Sequence, residues 1–179
     1  MAAVMGTLPT VPALSRPELL AEPVAAALRA WARADEVQVA EIDPELADTA
    51  AFCAAYQVGL DASANCVVVA GKREGQVRYA ACVVLATTRA DVNGVVRRQL
   101  DVRKASFAAM DAAVAETGMQ YGGITPIGLP AAWPVLVDAA VAATPEIVIG
   151  SGIRGSKLLL PGKALAEWLG AQVIEGLAS

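Results

Sequence analysis

The sequence predicts a single α/β domain built on a mixed β-sheet. Its 179 residues fit one domain of the usual size, roughly 100–200 residues. Segments with helical and with strand patterns alternate along the chain, as in α/β proteins. Two apolar runs, 64–71 and 77–88, are joined by a turn that contains Gly71 and Gly75, which predicts a β-hairpin. An antiparallel hairpin excludes a purely parallel sheet, so the predicted sheet is mixed.

The N-terminal part of the chain predicts an arm followed by a helix. Residues 1–14 are small, apolar and without periodicity, and we expect a flexible arm there, with the domain occupying residues 15–179. Ser15 and Glu18 have the spacing of a capping box. Apolar residues then recur at helical spacing, which predicts a helix from Ser15 to Ala34.

Further along the chain, polar residues mark the expected starts of the helices. Asp48, Asp91 and Ser106 each precede a helical pattern, and Asp and Ser are favoured at helix N-caps. The expected helices are 49–56, 91–100, 106–117 and 161–169, and the expected strands are 37–42, 64–71, 77–88, 102–105, 135–138, 146–150, 156–160 and 171–175.

The composition restricts the chemistry. Hydrophobic residues make up 56% of the chain but aromatic residues only 4%, so the core must consist largely of Ala, Val and Leu. The chain contains no histidine, which excludes Ser–His–Asp and Cys–His catalysis and removes the commonest zinc ligand. A net charge of −4 counts against a protein that binds duplex DNA.

The cysteines and the distribution of apolar residues predict a cytoplasmic location. Cys53, Cys66 and Cys82 are an odd number, lack the spacing of metal ligands and lie among apolar residues, so we expect buried, reduced thiols and no metal site. No apolar run approaches the ~20 residues that cross a bilayer. The N terminus lacks the basic region of a secretory signal.

The stretch from Tyr121 to Pro130, YGGITPIGLP, predicts a loop of defined shape, because glycine reaches backbone angles closed to other residues and proline fixes its own. Such a loop can turn bare N–H and C=O groups toward a ligand, which makes it a candidate site. The alternative is an ordinary connection between two elements.

Four parts of the chain resemble, in order, one known family. They are YQVGLDASANCVVVAG (56–71), VRKASFAAMDAAVAETG (102–118), YGGITPIGLP (121–130), and VLVDAAV with VIGSGIRGSKLLL (135–141 and 148–160). They resemble the first long strand, the Lys-Ala-Ser step, the G-x-x-x-P glycine loop and the closing strands with a Gly-x-Arg-Gly turn of the YbaK/EbsC family. That family is related to the editing domain of bacterial prolyl-tRNA synthetases. The resemblance extends from about Ile42 to Ile174.

This resemblance implies a mixed sheet curled around a pocket, with helices outside. It also implies an activity in trans: hydrolysis of the ester that joins a non-cognate amino acid to the 3′-terminal adenosine of a tRNA. No metal or organic cofactor is implied. The expected partner is therefore the 3′ end of a mischarged tRNA rather than DNA or a membrane.

The resemblance also implies the catalytic positions. Backbone groups of the segment Gly122, Gly123, Thr125 and Pro126 are expected to orient a water and the substrate's ammonium. Many family members carry a lysine at the start of the first long strand, where this chain has Asn65. Asparagine donates hydrogen bonds but brings no charge. Asn65 either serves the site or makes a structural hydrogen bond, and a non-catalytic binder of aminoacyl-tRNA is the alternative function.

Three further groups are expected to bind substrate. Asp138 is expected either to bind the substrate's amino group or to cap the segment that follows its strand. The turn of Gly152, Arg154 and Gly155 offers an arginine to a phosphate or is simply solvated. Arg103 and Lys104 are expected at the mouth of the pocket, facing the tRNA backbone, although charged runs are more often solvated surfaces.

Overall fold

The computed structural model describes residues 4–179, which contain nine strands and six α-helices. The strands are β1 (Val11–Pro12), β2 (Gln38–Glu41), β3 (Ala64–Arg73), β4 (Gln76–Leu85), β5 (Ala105–Phe107), β6 (Val135–Asp138), β7 (Ile147–Gly150), β8 (Ser156–Leu160) and β9 (Ala171–Ile174). The helices are α1 (Glu22–Arg29), α2 (Thr49–Tyr56), α3 (Arg97–Leu100), α4 (Met110–Thr117), α5 (Ala139–Ala142) and α6 (Gly162–Ala166).

The strands form two sheets. A four-stranded antiparallel sheet has the order β1-β2-β8-β7, and a five-stranded sheet has the order β5-β3-β4-β6-β9. In the second sheet β6 pairs in parallel with β4 and β9, whereas β3 pairs antiparallel with β4 and β5. The prediction of a mixed α/β fold is therefore confirmed, with two sheets in place of one. A parallel bridge between Ser63 and Val148 joins the two sheets.

Several elements follow their local sequence signals. The predicted hairpin forms with full pairing from Ala64–Leu85 to Arg73–Gln76. The carboxylate of Asp48 accepts hydrogen bonds from the N–H groups of Ala50 and Ala51 and so caps α2. The strand expected over residues 171–175 forms as β9, which lies at the edge of its sheet.

The helix predicted over residues 15–34 is broken, and its regular part is only α1. The Ser15 hydroxyl donates to the carbonyl of Pro12 instead of accepting at a helix N-terminus, so the capping box does not form. A 3₁₀ turn occupies Pro17–Leu19, and α1 then begins at Glu22 with Pro23 in its first turn. Proline is favoured in the first turn, so the second proline sets the start.

Ser106 lies in strand β5, not at a helix N-cap. Residues 105–107 pair with Val69–Gly71 of β3, and α4 starts only at Met110. A Cβ on Gly71 would lie 2.5 Å from Val102 Cγ2 and 2.8 Å from the Lys104 carbonyl, so this glycine allows the chain to approach β3. Asp91 caps the helix predicted over residues 91–100, but the first turn of that helix, Val92–Val96, is π-helical.

The expected flexible arm is packed against the domain over its described part. Met5 is 1% exposed and packs with Phe52 and Val148, and the N–H of Thr7 donates to the Tyr56 carbonyl. Residues 1–3 lie outside the described residues. None of the helices within residues 4–179 is long and apolar enough to span a bilayer.

Met5→Ala should therefore destabilise the protein. Removing a fully buried methionine side chain leaves a cavity, and such changes lower the free energy of unfolding by about 2–5 kcal/mol. Urea denaturation measures the difference. Met110→Ala is the matched control, because Met110 is 54% exposed. Equal stability of the two variants would show that Met5 does not contribute to the core.

Candidate functional site

A cavity of about 320 Å³ opens where the two sheets meet. Four segments build it: the start of α2, the first half of β3, the glycine loop and the facing ends of β7 and β8. The lining residues are Ala47, Asp48, Thr49, Ala64, Asn65, Cys66, Val67, Tyr121, Gly122, Ile124, Gly150, Arg154 and Lys157.

One wall of the cavity is an uncovered edge of β3. Strand β5 covers this edge only over Val69–Gly71, and the last hydrogen bond runs from the N–H of Ala108 to the carbonyl of Val68. In an antiparallel strand alternate residues direct both backbone groups to the same edge. The N–H and C=O of Cys66 therefore face the cavity, next to the side chains that line it.

The glycine loop is held against the turn between β7 and β8. The N–H of Gly152 donates to the Gly123 carbonyl at 2.7 Å, and the N–H of Gln120 donates to the Gly152 carbonyl at 2.9 Å. A Cβ on Gly123 would lie 2.6–2.9 Å from backbone atoms of Ile153, so the two backbones touch. Gly122, with a φ of +87°, lines the cavity. The two predicted motifs, glycine loop and Gly-x-Arg-Gly turn, are thus brought together.

Arg154 fastens the rim of the cavity. Its guanidinium donates to the carbonyls of Tyr121 and Pro44, both at 3.1 Å, and its own N–H donates to Gln120 Oε1 at 2.8 Å. The planar fork of arginine is suited to two acceptors at once. Arg154 therefore connects the glycine loop to the segment before α2, and it lines the cavity itself.

Lys157 places an ammonium in the cavity from β8, the strand between β2 and β7. Its Nζ donates to the Ala47 carbonyl at 3.0 Å and lies 5.2 Å from the centre of the Phe52 ring. Lys157 is 7% exposed, and burial lowers the pKa of its ammonium below the usual value, with Cys53 and Asp48 opposing the shift. Within residues 4–179 no carboxylate oxygen lies within 4.0 Å of this nitrogen.

Asn65 stands on the β3 wall of the same cavity. Its Oδ1 accepts a hydrogen bond of 2.6 Å from the Thr49 hydroxyl. This contact fixes the amide, so that its NH₂ group is the part free to donate. The expected structural bond and a position in the site are therefore both present.

Thr125 and Pro126 do not line this cavity. Both are buried beneath the loop, and the Thr125 hydroxyl has no hydrogen-bond partner among the described residues. Pro126 instead lines a separate hollow with Trp133 and Trp168. Only the first half of the glycine loop reaches the site, because the second half turns into the core.

Asp138 also lies away from the cavity. It is buried at the end of β6, at the N-cap position of α5. Burial raises the pKa of its carboxyl, and the neighbouring N–H groups of Ala139, Leu177 and Ala178 offset part of that rise. Asp138 thus occupies the N-cap position of α5, but its side chain makes no capping hydrogen bond there.

Arg103 and Lys104 line another hollow, at the far end of β3 beside Lys72. Asn65 lies seven residues back along that strand, a distance of about 23 Å at the usual rise per residue. The two cations are therefore not at the mouth of the cavity. Gly152 and Gly155 shape the turn that carries Arg154 but do not line the cavity themselves.

The cysteines are free thiols, and one of them reaches the cavity. Cys53 and Cys82 are buried, whereas Cys66 is half-buried and lines the wall. Burial raises the pKa of Cys82 to about 12 and also raises that of Cys66, so both are protonated at neutral pH. Across residues 4–179 no three potential metal-ligating side chains (Cys, Asp or Glu here) cluster together.

Sequence reasoning missed Lys157, Asp48 and Thr49 as neighbours of Asn65. The signal for Lys157 was a charged residue in the run SKLLL, whose five residues are all buried. A lysine at a fully buried strand position needs a reason, since Lys is among the residues least often buried. The sequence does not show which cavity such a lysine faces.

Gly123→Ala should lower the stability of the protein. Its new Cβ would push against the Ile153 backbone, which has no flexible end to move, and such overpacking costs about 1–3 kcal/mol of unfolding free energy. Urea denaturation of this variant and of a control variant measures the free energy of unfolding. Gly155→Ala is the control, because its nearest contacts are ordinary ones at 3.8 and 3.9 Å. If Gly123→Ala is as stable as the control, the two backbones are not held in contact.

Solved structures share the fold. A candidate trans-editing enzyme for prolyl-tRNA synthetase superposes with a TM-score of 0.73 at 21% identity, over 87% of this chain and 94% of that one. The hypothetical protein APE2540 gives a TM-score of 0.74 at 21% identity, over 88% of this chain and 100% of its own. The family model described as "Aminoacyl-tRNA editing domain" matches residues 43–168, which include every residue that lines the cavity. The chain belongs to the aminoacyl-tRNA editing domain family.

Proposed function

We propose that this protein is a trans-editing hydrolase that deacylates mischarged aminoacyl-tRNA. The observation that carries the proposal is the cavity itself, which lies wholly inside the family match and is built from the glycine loop and the Arg154 turn. The substrate is the ester between a non-cognate amino acid and the 3′-terminal adenosine. The tRNA 3′ end is the partner, in the cytoplasm.

The reaction adds water to the carbonyl carbon of the ester, and the electron pair of the C=O bond moves to the oxygen. When the pair returns, the bond to the ribose oxygen breaks, and that oxygen takes a proton derived from the water. The products are a free amino acid and a tRNA with an intact terminal hydroxyl. No redox step is involved.

An ester of this kind needs a positioned water more than a strong base. Correct placement of reacting groups supplies up to about 7–11 kcal/mol of a barrier. The amide NH₂ of Asn65 and the N–H of Cys66 face the cavity from one wall, and the exposed backbone of Gly122 faces it from the other. These neutral donors provide positions for the water and the ribose without a histidine.

Arg154 and the more distant cations are proposed to hold the nucleic acid. Arg154 lies at the rim, where a terminal phosphate would pass, and it is already fixed by two carbonyls. Arg103 and Lys104 lie beyond the cavity and are candidates for the tRNA backbone further from the ester. Phosphate contacts of this type do not depend on sequence.

The direct test measures loss of amino acid from tRNAs charged with alanine, serine, threonine or cysteine. At least one ester should be hydrolysed faster than in buffer. Gly122→Val should reduce this rate by about 100-fold or more, because small displacements in a site have effects of that size. The new side chain starts 2.5 Å from Arg154 Nη1 and must displace the rim.

Gly75→Val is the matched control for this variant. Gly75 also has a positive φ, +79°, but it lies in the β3–β4 turn, where a Cβ would have no other atom within 4 Å, so only backbone strain is shared. Wild-type protein that releases none of the four amino acids would contradict the hydrolase proposal for that panel. Equal loss in both valine variants would assign the defect to strain.

The second candidate function is a binder of aminoacyl-tRNA without turnover. The observation that favours it is Asn65, a neutral residue at the position where related proteins are expected to carry lysine. Such a binder should retain tRNA at equilibrium in a filter-binding assay and release no amino acid. In that case Asn65→Lys should create deacylation, whereas loss of existing activity in Asn65→Lys would identify an adapted enzyme.

A further inference from the structure

The ammonium of Lys157 is the strongest unexplained feature of the cavity. An ammonium has three donors, and only one of them is used, in the bond to the Ala47 carbonyl. The remaining two have no acceptor among residues 4–179. The cavity beside them has a volume of about 320 Å³.

This charge does not serve the packing of β8. The three residues after Lys157 in this strand, Leu158 to Leu160, are leucines in the core. A buried cation without a carboxylate partner is costly, and an apolar residue of similar length would suit the strand better. A group that lowers stability and faces a cavity is a candidate for function.

The Phe52 ring, 5.2 Å from Nζ, stabilises the ammonium of Lys157, but no carboxylate among residues 4–179 forms an ion pair with it. The nearest acidic side chain that influences it, Asp48, is engaged with two N–H groups at the start of α2. On the two flanking strands, Lys157 is paired with Ala40 and Gly150, whose small size leaves room for its side chain. The positive field of the ammonium therefore acts on whatever occupies the cavity.

We propose that Lys157 stabilises the negative charge that forms on the ester carbonyl oxygen during deacylation. This inference rests on the proposed hydrolysis and adds to it the residue that responds to the developing charge. As water attacks, the electron pair of the C=O bond moves onto the oxygen, and the Nζ–H groups donate to it. In a site with little water such a contact is far stronger than in solution. The ammonium keeps its proton throughout.

The central experiment compares Lys157→Met with the wild type in single- and multiple-turnover deacylation of the active ester. Loss of one donor to such an oxygen lowers kcat about 100–1,000-fold. We expect a fall of that size with KM changed less than about threefold, because the contact strengthens in the transition state. Thermal unfolding should show Lys157→Met to be at least as stable as the wild type. Lys163→Met, at an exposed lysine of α6, is the matched control and should keep full activity.

The pH profile separates charge stabilisation from general-base catalysis. The ionisable groups around the Lys157 ammonium are those of Asp48, Cys53, Cys66, Tyr121 and Arg154. Because burial lowers the pKa of Lys157 from 10.5, its proton is lost at a lower pH than that of an exposed lysine. After subtraction of the uncatalysed rate, the wild-type kcat should decrease as the pH rises past the pKa of Lys157. The kcat of Lys157→Met should not show this decrease. A rise of wild-type kcat through the same range would overturn the proposal in favour of a base.

The outcomes distinguish this inference from the proposed function. If the wild type deacylates and Lys157→Met keeps its kcat, the role of Lys157 is wrong and the hydrolase stands. If Lys157→Met raises KM and keeps kcat, the lysine binds the ground state, and the proposal is again overturned. If the wild type releases no amino acid from any ester, both proposals fail. Lys157→Arg, which keeps the charge, should retain more activity than Lys157→Met.

Discussion

The contact between the glycine loop and the turn after β7 is the constraint on which the site depends. Gly123 lies against the backbone of Ile153, and a Cβ on Gly150 would lie 2.6 Å from the Gly123 carbonyl. Two backbones approach this closely only where no side chain intervenes. Through this contact Gly122 and Arg154 reach the same rim, and the two sheets gain a shared cavity.

The charged groups that line the cavity are mostly positive. Arg154 and Lys157 contribute two positive groups, whereas the carboxylate of Asp48 is occupied by the N-terminus of α2. The protein as a whole has a net charge of −4, so the positive character is local. A cavity of this kind attracts oxygen atoms that carry or develop a negative charge.

The sequence predicted the structural features that depend on residues close together in the chain. Asp48 as a cap, the hairpin of β3 and β4, and the edge strand at 171–174 all follow from local patterns, and the structure contains them. The capping box at Ser15 failed because Pro23 offered a better start for the helix.

Local patterns could not predict contacts between residues that are far apart in the sequence. Lys157 and the Ala47 carbonyl are 110 residues apart in sequence, so no spacing rule brings them together. In the same way, nothing in a linear motif shows that Asp138 does not line the cavity, or that Arg103 lies near Lys72 instead of Asn65. The glycines and prolines predicted the loop, and the three-dimensional packing determines which of its residues line the cavity.

The short length of β5 determines how much room the cavity has. In the register that pairs Val69 with Phe107, a longer β5 would bring residue 110 opposite Cys66 and residue 112 opposite Ala64. The chain turns into α4 at Met110 instead, which leaves that edge of β3 open. The size of the cavity is thus set partly by the point at which a strand stops, some forty residues from the wall it leaves bare. An insertion or deletion between β5 and α4 would therefore alter the size of the cavity without changing any residue that lines it.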